Sequence, residues 1–117
     1  ATSNIAELRE IFSSEANSRW IAFGASARSS TLLNTIGEGS KCLNQIADNN
    51  PLKQGKFSPG IRLQICNPTE SIDSTVEKVF ICAFNFEDEI IEFLTKKLKW
   101  NGEVILPLPN NIRRFQI

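Results

Sequence analysis

The chain has 117 residues, 41% hydrophobic and 22% charged, enough for one globular domain with its own core and too few for two. Thirteen Lys+Arg balance thirteen Asp+Glu, so the basic face of a nucleic-acid binder is absent, and no apolar run reaches bilayer length. There is no histidine, which excludes Ser-His and Cys-His nucleophiles and imidazole proton shuttles within this chain.

The opening segment places Ile5, Leu8, Ile11 and Phe12 at helical spacing, with Ser3 or Asn4 as cap and an end near Ala16-Asn17-Ser18. Its apolar stripe is expected to lie on a sheet. Arg19 to Phe23 reads as a short apolar strand, followed by the small-residue turn Gly24-Ala25-Ser26-Ala27. From Ser29 to Ile36 the pattern is helical, and Gly37 and Gly39 end it. Cys42 to Ala47 is a second strand, broken by Asp48-Asn49-Asn50-Pro51. A long polar loop from Leu52 to Gly60 leads to a brief third strand, Ile61 to Ile65, with alternating apolar residues.

Asn67-Pro68 marks the start of a short helix, with proline at its first position. Lys78 to Ala83 is the most apolar strand and therefore the expected centre of a parallel sheet. Phe84-Asn85-Phe86 links it to a helix predicted over Glu87 to Lys99. There an acidic first turn and a lysine-rich last turn suit the helix dipole. Glu103 to Leu106 is a fifth strand, and the tail from Asn110 to Ile117 carries no assignment.

Strands alternating with helices imply a parallel sheet. The simplest topology is α/β: a doubly wound sheet of about five strands, order 3-2-1-4-5, with an N-terminal helix. Ligands of such sheets lie at the carboxyl ends of the strands around the switch point. The Gly24 turn, the Asp48 region and Phe84-Asn85-Phe86 converge there.

Cys42, Cys66 and Cys82 are single and lack CxxC spacing, so they read as small core residues of a reducing, cytoplasmic protein. The chain has no methionine, even at its start, which fits a piece of a longer polypeptide.

In the turn, Gly24 allows a tight reversal, and Ser26, Ser29, Ser30 and Thr31 stand near a helix start, where free amides favour an anion. Arg28 would add charge-assisted bonds to a phosphate. The same small residues also suit a plain strand-to-helix corner. Asp48 stands where dinucleotide folds hold a ribose hydroxyl, or else it serves its own turn. The loop from Lys53 to Gly60, with Lys53, Lys56 and Phe57, either closes over a ligand or is a solvated connection. Glu87-Asp88-Glu89 reads as a dipole-matched first turn, because consecutive helical side chains diverge.

Four segments, GASARSSTLLN (24–34), DNNPLKQGKFSPG (48–60), FNFEDEI (84–90) and GEVILPLP (102–109), together resemble the C-terminal domain of the sugar C-methyltransferases. Those enzymes use S-adenosylmethionine to methylate nucleotide-linked deoxysugars. The resemblance implies a single Rossmann-like domain over residues 1–117, preceded in the parent protein by a zinc-binding segment and a methyltransferase domain. S-adenosylmethionine, zinc and the catalytic groups would belong to those other domains, and this one would bind no cofactor. Its partners would be the nucleotide-linked sugar and the upstream methyltransferase domain, with no nucleic acid and no membrane.

By motif match, the substrate's diphosphate would meet Gly24, Ser26, Arg28, Ser29, Ser30, Thr31, Asp48, Lys53 and Asn85. The sequence departs from the family pattern at Ser29, where glycine is usual, at Ser26, where proline is frequent, and at Phe84, where tryptophan is common. The added Cβ at position 29 is expected to narrow the approach to phosphate. Two other classes stay open: a stand-alone nucleotide-binding or protein-interaction domain, and a fragment of a small NAD-dependent oxidoreductase.

Overall fold

The computed structural model describes residues 2–37, 42–107 and 111–117. Gly39, expected to help end the second helix, and residues 108–109 of the fourth motif lie outside that range.

The first helix, α1, runs Thr2–Ser14, so Ser3 and Asn4 lie within it rather than capping it. Strand β1 is Trp20–Phe23 and helix α2 is Ala27–Ile36. Next come β2 (Gln45–Ala47), β3 (Gln64–Cys66), the one-turn α3 (Pro68–Ser71) and β4 (Lys78–Ile81). A 3-10 turn, Phe84–Phe86, leads into α4, Glu87–Glu92, which widens into a π turn over Phe93–Lys97. Strands β5 (Glu103–Leu106) and β6 (Arg113–Gln116) complete the chain.

The sheet has six strands in the order β3-β2-β1-β4-β5-β6. The first five pair in parallel, in the order read from the sequence, and β6 joins antiparallel along β5. The unassigned tail is thus an edge strand. Its ladder sets Val104 opposite Phe115, and the Gly102 and Ile117 backbones bond to each other in both directions.

Side chains alternate across the sheet, as a strand period of two requires. Trp20, Ala22, Ile46, Phe80 and Ile105 face one core, which α1 and α2 cover with Leu8, Phe12, Leu33 and Ile36. Ile21, Phe23, Val79, Ile81, Val104 and Leu106 face the other, covered by Ile72, Ile90, Leu94 and Trp100. Both faces of the central strands are therefore buried, and their sequences are almost unbroken apolar runs. Among the described residues, no helix is long and apolar enough to cross a membrane.

Three predicted elements are reshaped, the second strand among them, which was expected from Cys42 and begins only at Gln45. The third strand was expected from Ile61, but Arg62 is left-handed, with φ of 58°. Extended pairing therefore begins only at Gln64. Likewise α4 does not run as one helix to Lys99. Leu98 N–H donates to Phe93 O at 3.0 Å and Trp100 N–H to Leu94 O at 2.9 Å, with Lys99 left-handed at φ 52°. This wide exit carries Trp100 into the core, where its indole N–H donates to Val76 O at 2.9 Å.

Candidate functional site

The turn after β1 is held from three sides. Gly24 has φ of 102°, and a Cβ there would lie 2.5 Å from the Cβ of Ala83, the residue two past β4. Glycine is thus required twice, for conformation and for the close approach of β4. The next residue, Ala25, donates its N–H to Asp48 Oδ2 at 2.8 Å, while Asp48 Oδ1 accepts from Asn50 N–H at 2.8 Å. Asp48 therefore ties the turn after β1 to the turn after β2.

Ser26 caps α2, its Oγ accepting the Ser29 N–H at 3.1 Å. Ser29 is fully buried and donates its hydroxyl to Gly24 O at 2.5 Å. That uses its single proton, so in the 2.9 Å contact between the two hydroxyls Ser26 is the donor. The result is a relay, Ser26 to Ser29 to the Gly24 carbonyl, that fixes the turn to the helix start. Ser29 is buried behind the turn, its hydroxyl aimed at the Gly24 carbonyl.

Beside this turn the segment from Lys53 to Leu63 folds back as a hairpin along β3. Gly55 N–H donates to Ile65 O at 2.8 Å, Ile65 N–H to Lys56 O at 2.8 Å and Ser58 N–H to Leu63 O at 2.8 Å. Lys53 Nζ donates to Ala25 O at 2.5 Å, latching the segment onto the turn. Between hairpin and turn lies a cleft of about 320 Å³, whose lining includes Ser26, Ser30, Lys53, Lys56 and Phe57. The polar loop of the sequence is thus built structure that walls a cavity.

The other flank is the 3-10 turn after β4. Arg28, in the first turn of α2, sets its guanidinium over the Phe84 ring, 5.6 Å from the centroid. Asn85 is exposed there and lines a shallow recess of about 240 Å³ with its neighbours up to Glu89. Glu87 is paired with Arg113 of β6, 2.5 Å apart.

The residues expected to meet a diphosphate fall into three groups. Ser26, Ser30 and Lys53 line the cleft on the β2 side. Arg28 and Asn85 stand on the β4 side, and Thr31 faces solvent with its hydroxyl bonded back to Ala27 O at 3.1 Å. Gly24, Ser29 and Asp48 hold the turn together from within. Lys56 and Phe57 join the cleft although the motif match assigned them no role. Their position beside Lys53 in one short loop was the available signal. A wider cleft of about 550 Å³ opens at the opposite end of the strands, near Trp20 and Gln45.

All three cysteines are free thiols. Burial pushes Cys82 up to about 12 and raises Cys42 and Cys66 as well, so none is a ready nucleophile near neutrality. Among the described residues, no group of three or more Cys, Asp or Glu side chains is placed to hold a metal ion.

Residues 5–109 match the family described as the C-methyltransferase C-terminal domain. The chain belongs to that family. One relative, C-methyltransferase NovU of Streptomyces niveus, is 32% identical over 87 residues, covering 74% of this chain. The match spans only 21% of that relative's length. The matched region of the family model takes in the Gly24 turn, the hairpin and the 3-10 turn, the three segments that surround the candidate site.

Proposed function

We propose that this domain binds the diphosphate of a nucleotide-linked deoxysugar at the start of α2 and positions the sugar for methyl transfer by another domain of the same enzyme. The observation that carries this reading is the cleft of about 320 Å³ beside the capped α2 start, with Lys53 and Lys56 in its wall. Free N–H groups of the first helical turn and nearby cations suit an anion. Arg28 is exposed and has no carboxylate partner among the described residues, so its guanidinium is available to a phosphate.

S-adenosylmethionine supplies the methyl group in such enzymes, and we do not assign its site to this turn. Asp48, the acidic residue placed for a ribose, already accepts from Ala25 and Asn50 through both oxygens. We assign the methyl donor's site to another part of the parent protein.

Isothermal titration of the 117-residue chain with nucleoside diphosphates and diphosphosugars tests the reading. A Kd on the order of 0.1–1 mM is expected for the isolated domain, weakened about tenfold in Arg28→Ala. Absence of binding at several times that concentration, by a chain with native circular dichroism, would sink the proposal.

A further inference from the structure

Resting on that diphosphate reading, we infer that Phe57, backed by Arg62, is the platform on which the nucleobase of the ligand stacks, inside the cleft between the hairpin and α2. Phe57 is 53% exposed, one of three large apolar side chains in that state among the described residues. Its ring is nonetheless not loose. The Arg62 guanidinium stands over one face, 5.5 Å from the centroid, and Phe57 itself lines the cleft.

The backbone holds this pair in place. Phe57 bridges Gln64 antiparallel, and the bonds Lys56–Ile65 and Ser58–Leu63 flank it on either side. Arg62 sits in the left-handed region, which a non-glycine residue occupies only where its surroundings over-determine it. They do so here. Ser58 Oγ accepts Leu63 N–H at 2.9 Å, and Asn34 Oδ1 accepts Ile61 N–H at 2.9 Å. The strained position is what carries the Arg62 side chain back over Phe57.

The character of the cleft separates base from diphosphate. Ala25, Ala27, Pro59 and Ile65 give it apolar walls suited to a flat heterocycle, while Lys53 and Lys56 of the same lining suit the attached anion. Ser30 adds a hydroxyl with no partner among the described residues, within reach of a base edge. A cation already seated on one face of the ring leaves the ring's remaining surface to a π-system, and such stacking tolerates different bases. The base then lies in the cleft, and the diphosphate lies at its mouth by the α2 start.

The test compares thymidine diphosphate, uridine diphosphate and inorganic pyrophosphate by calorimetry on the 117-residue chain, on Phe57→Ala and on Arg62→Ala. The wild type should bind the nucleotides about tenfold tighter than pyrophosphate, and Phe57→Ala should remove that advantage while leaving pyrophosphate unchanged. Arg62→Ala should lose a smaller part of it. In Phe57→Trp, nucleotide should quench the exposed indole and pyrophosphate should not, which keeps the inference testable if the alanine variant fails to fold. Equal affinity for nucleotide and pyrophosphate, or undiminished nucleotide binding by Phe57→Ala, overturns the stacking site and leaves the diphosphate reading standing. If neither ligand binds, both fall.

Discussion

At the amino end of the sheet, Arg114 of β6 lies between Glu15 and Glu103, and Lys78 touches the same two carboxylates at 2.9 and 2.6 Å. At the carboxyl end, hydroxyls and backbone amides do the joining, and the cations are left over. Arg28 rests on Phe84 and Lys53 on a carbonyl, and neither has a carboxylate partner among the described residues. Arg113 with Glu87 is the one ion pair of that end among the described residues. The two ends use the same residue types differently. The amino end neutralises its cations on carboxylates, whereas at the carboxyl end Arg28 lies on a ring and Lys53 on a carbonyl.

The largest effect should come from closing the carboxyl end. Gly24→Ala puts a Cβ against Ala83 in a left-handed turn, and a loss of about 3 kcal/mol is expected from strain and clash together. Urea unfolding measures it, and a loss under about 1 kcal/mol would show that β4 is not pressed against the turn. Next is Ser29→Ala, which strands the buried Gly24 carbonyl and cuts the hydroxyl relay, at about 1–2 kcal/mol.

The amino end should respond to acid. Arg114, through its hydrogen bond, holds the Glu15 carboxyl down to about 2 against burial that raises it, and Glu103 is lowered by the same guanidinium. A carboxylate whose folded pKa lies below its ordinary 4.5 stabilises the fold fully above that value and loses this as pH falls toward about 2. Arg114→Ala is therefore expected to cost about 1 kcal/mol at neutral pH, discounted for the partial exposure of the network. The difference from wild type should shrink through that acid window. A constant difference across pH would mean that Arg114 acts by packing alone. The smallest effect on stability is that of Arg28→Ala, within about 0.5 kcal/mol of wild type. A larger loss would assign Arg28 a structural role.

The strand order was legible because each strand carries its own apolar run between clear breakers. β5 fell on its expected bounds, Glu103–Leu106, for that reason. The edges were not. β6 hides behind Arg113 and Arg114, although Phe115 and Ile117 keep the period of two. The start of β3 was misplaced because alternation in Ile61-Arg62-Leu63 cannot reveal that Arg62 turns left-handed. At the candidate site, the sequence named segments that the fold brings near one another, but it could not say which way their side chains face. Ser29 and Asp48 have the residue types of ligand contacts, yet partners 5 and 23 positions away in sequence take their polar groups inward.

The hairpin from Lys53 to Leu63 also sits against the outer side of β3, meeting it through Gly55, Lys56 and Phe57. An open edge of a parallel sheet invites another strand, so this loop guards the solubility of the whole domain. Side chains such as Phe57 and Lys56 can therefore change without opening that edge, while deletions or prolines in the same loop expose it. Selection on folding thus protects the backbone of the cleft whatever becomes of its side chains.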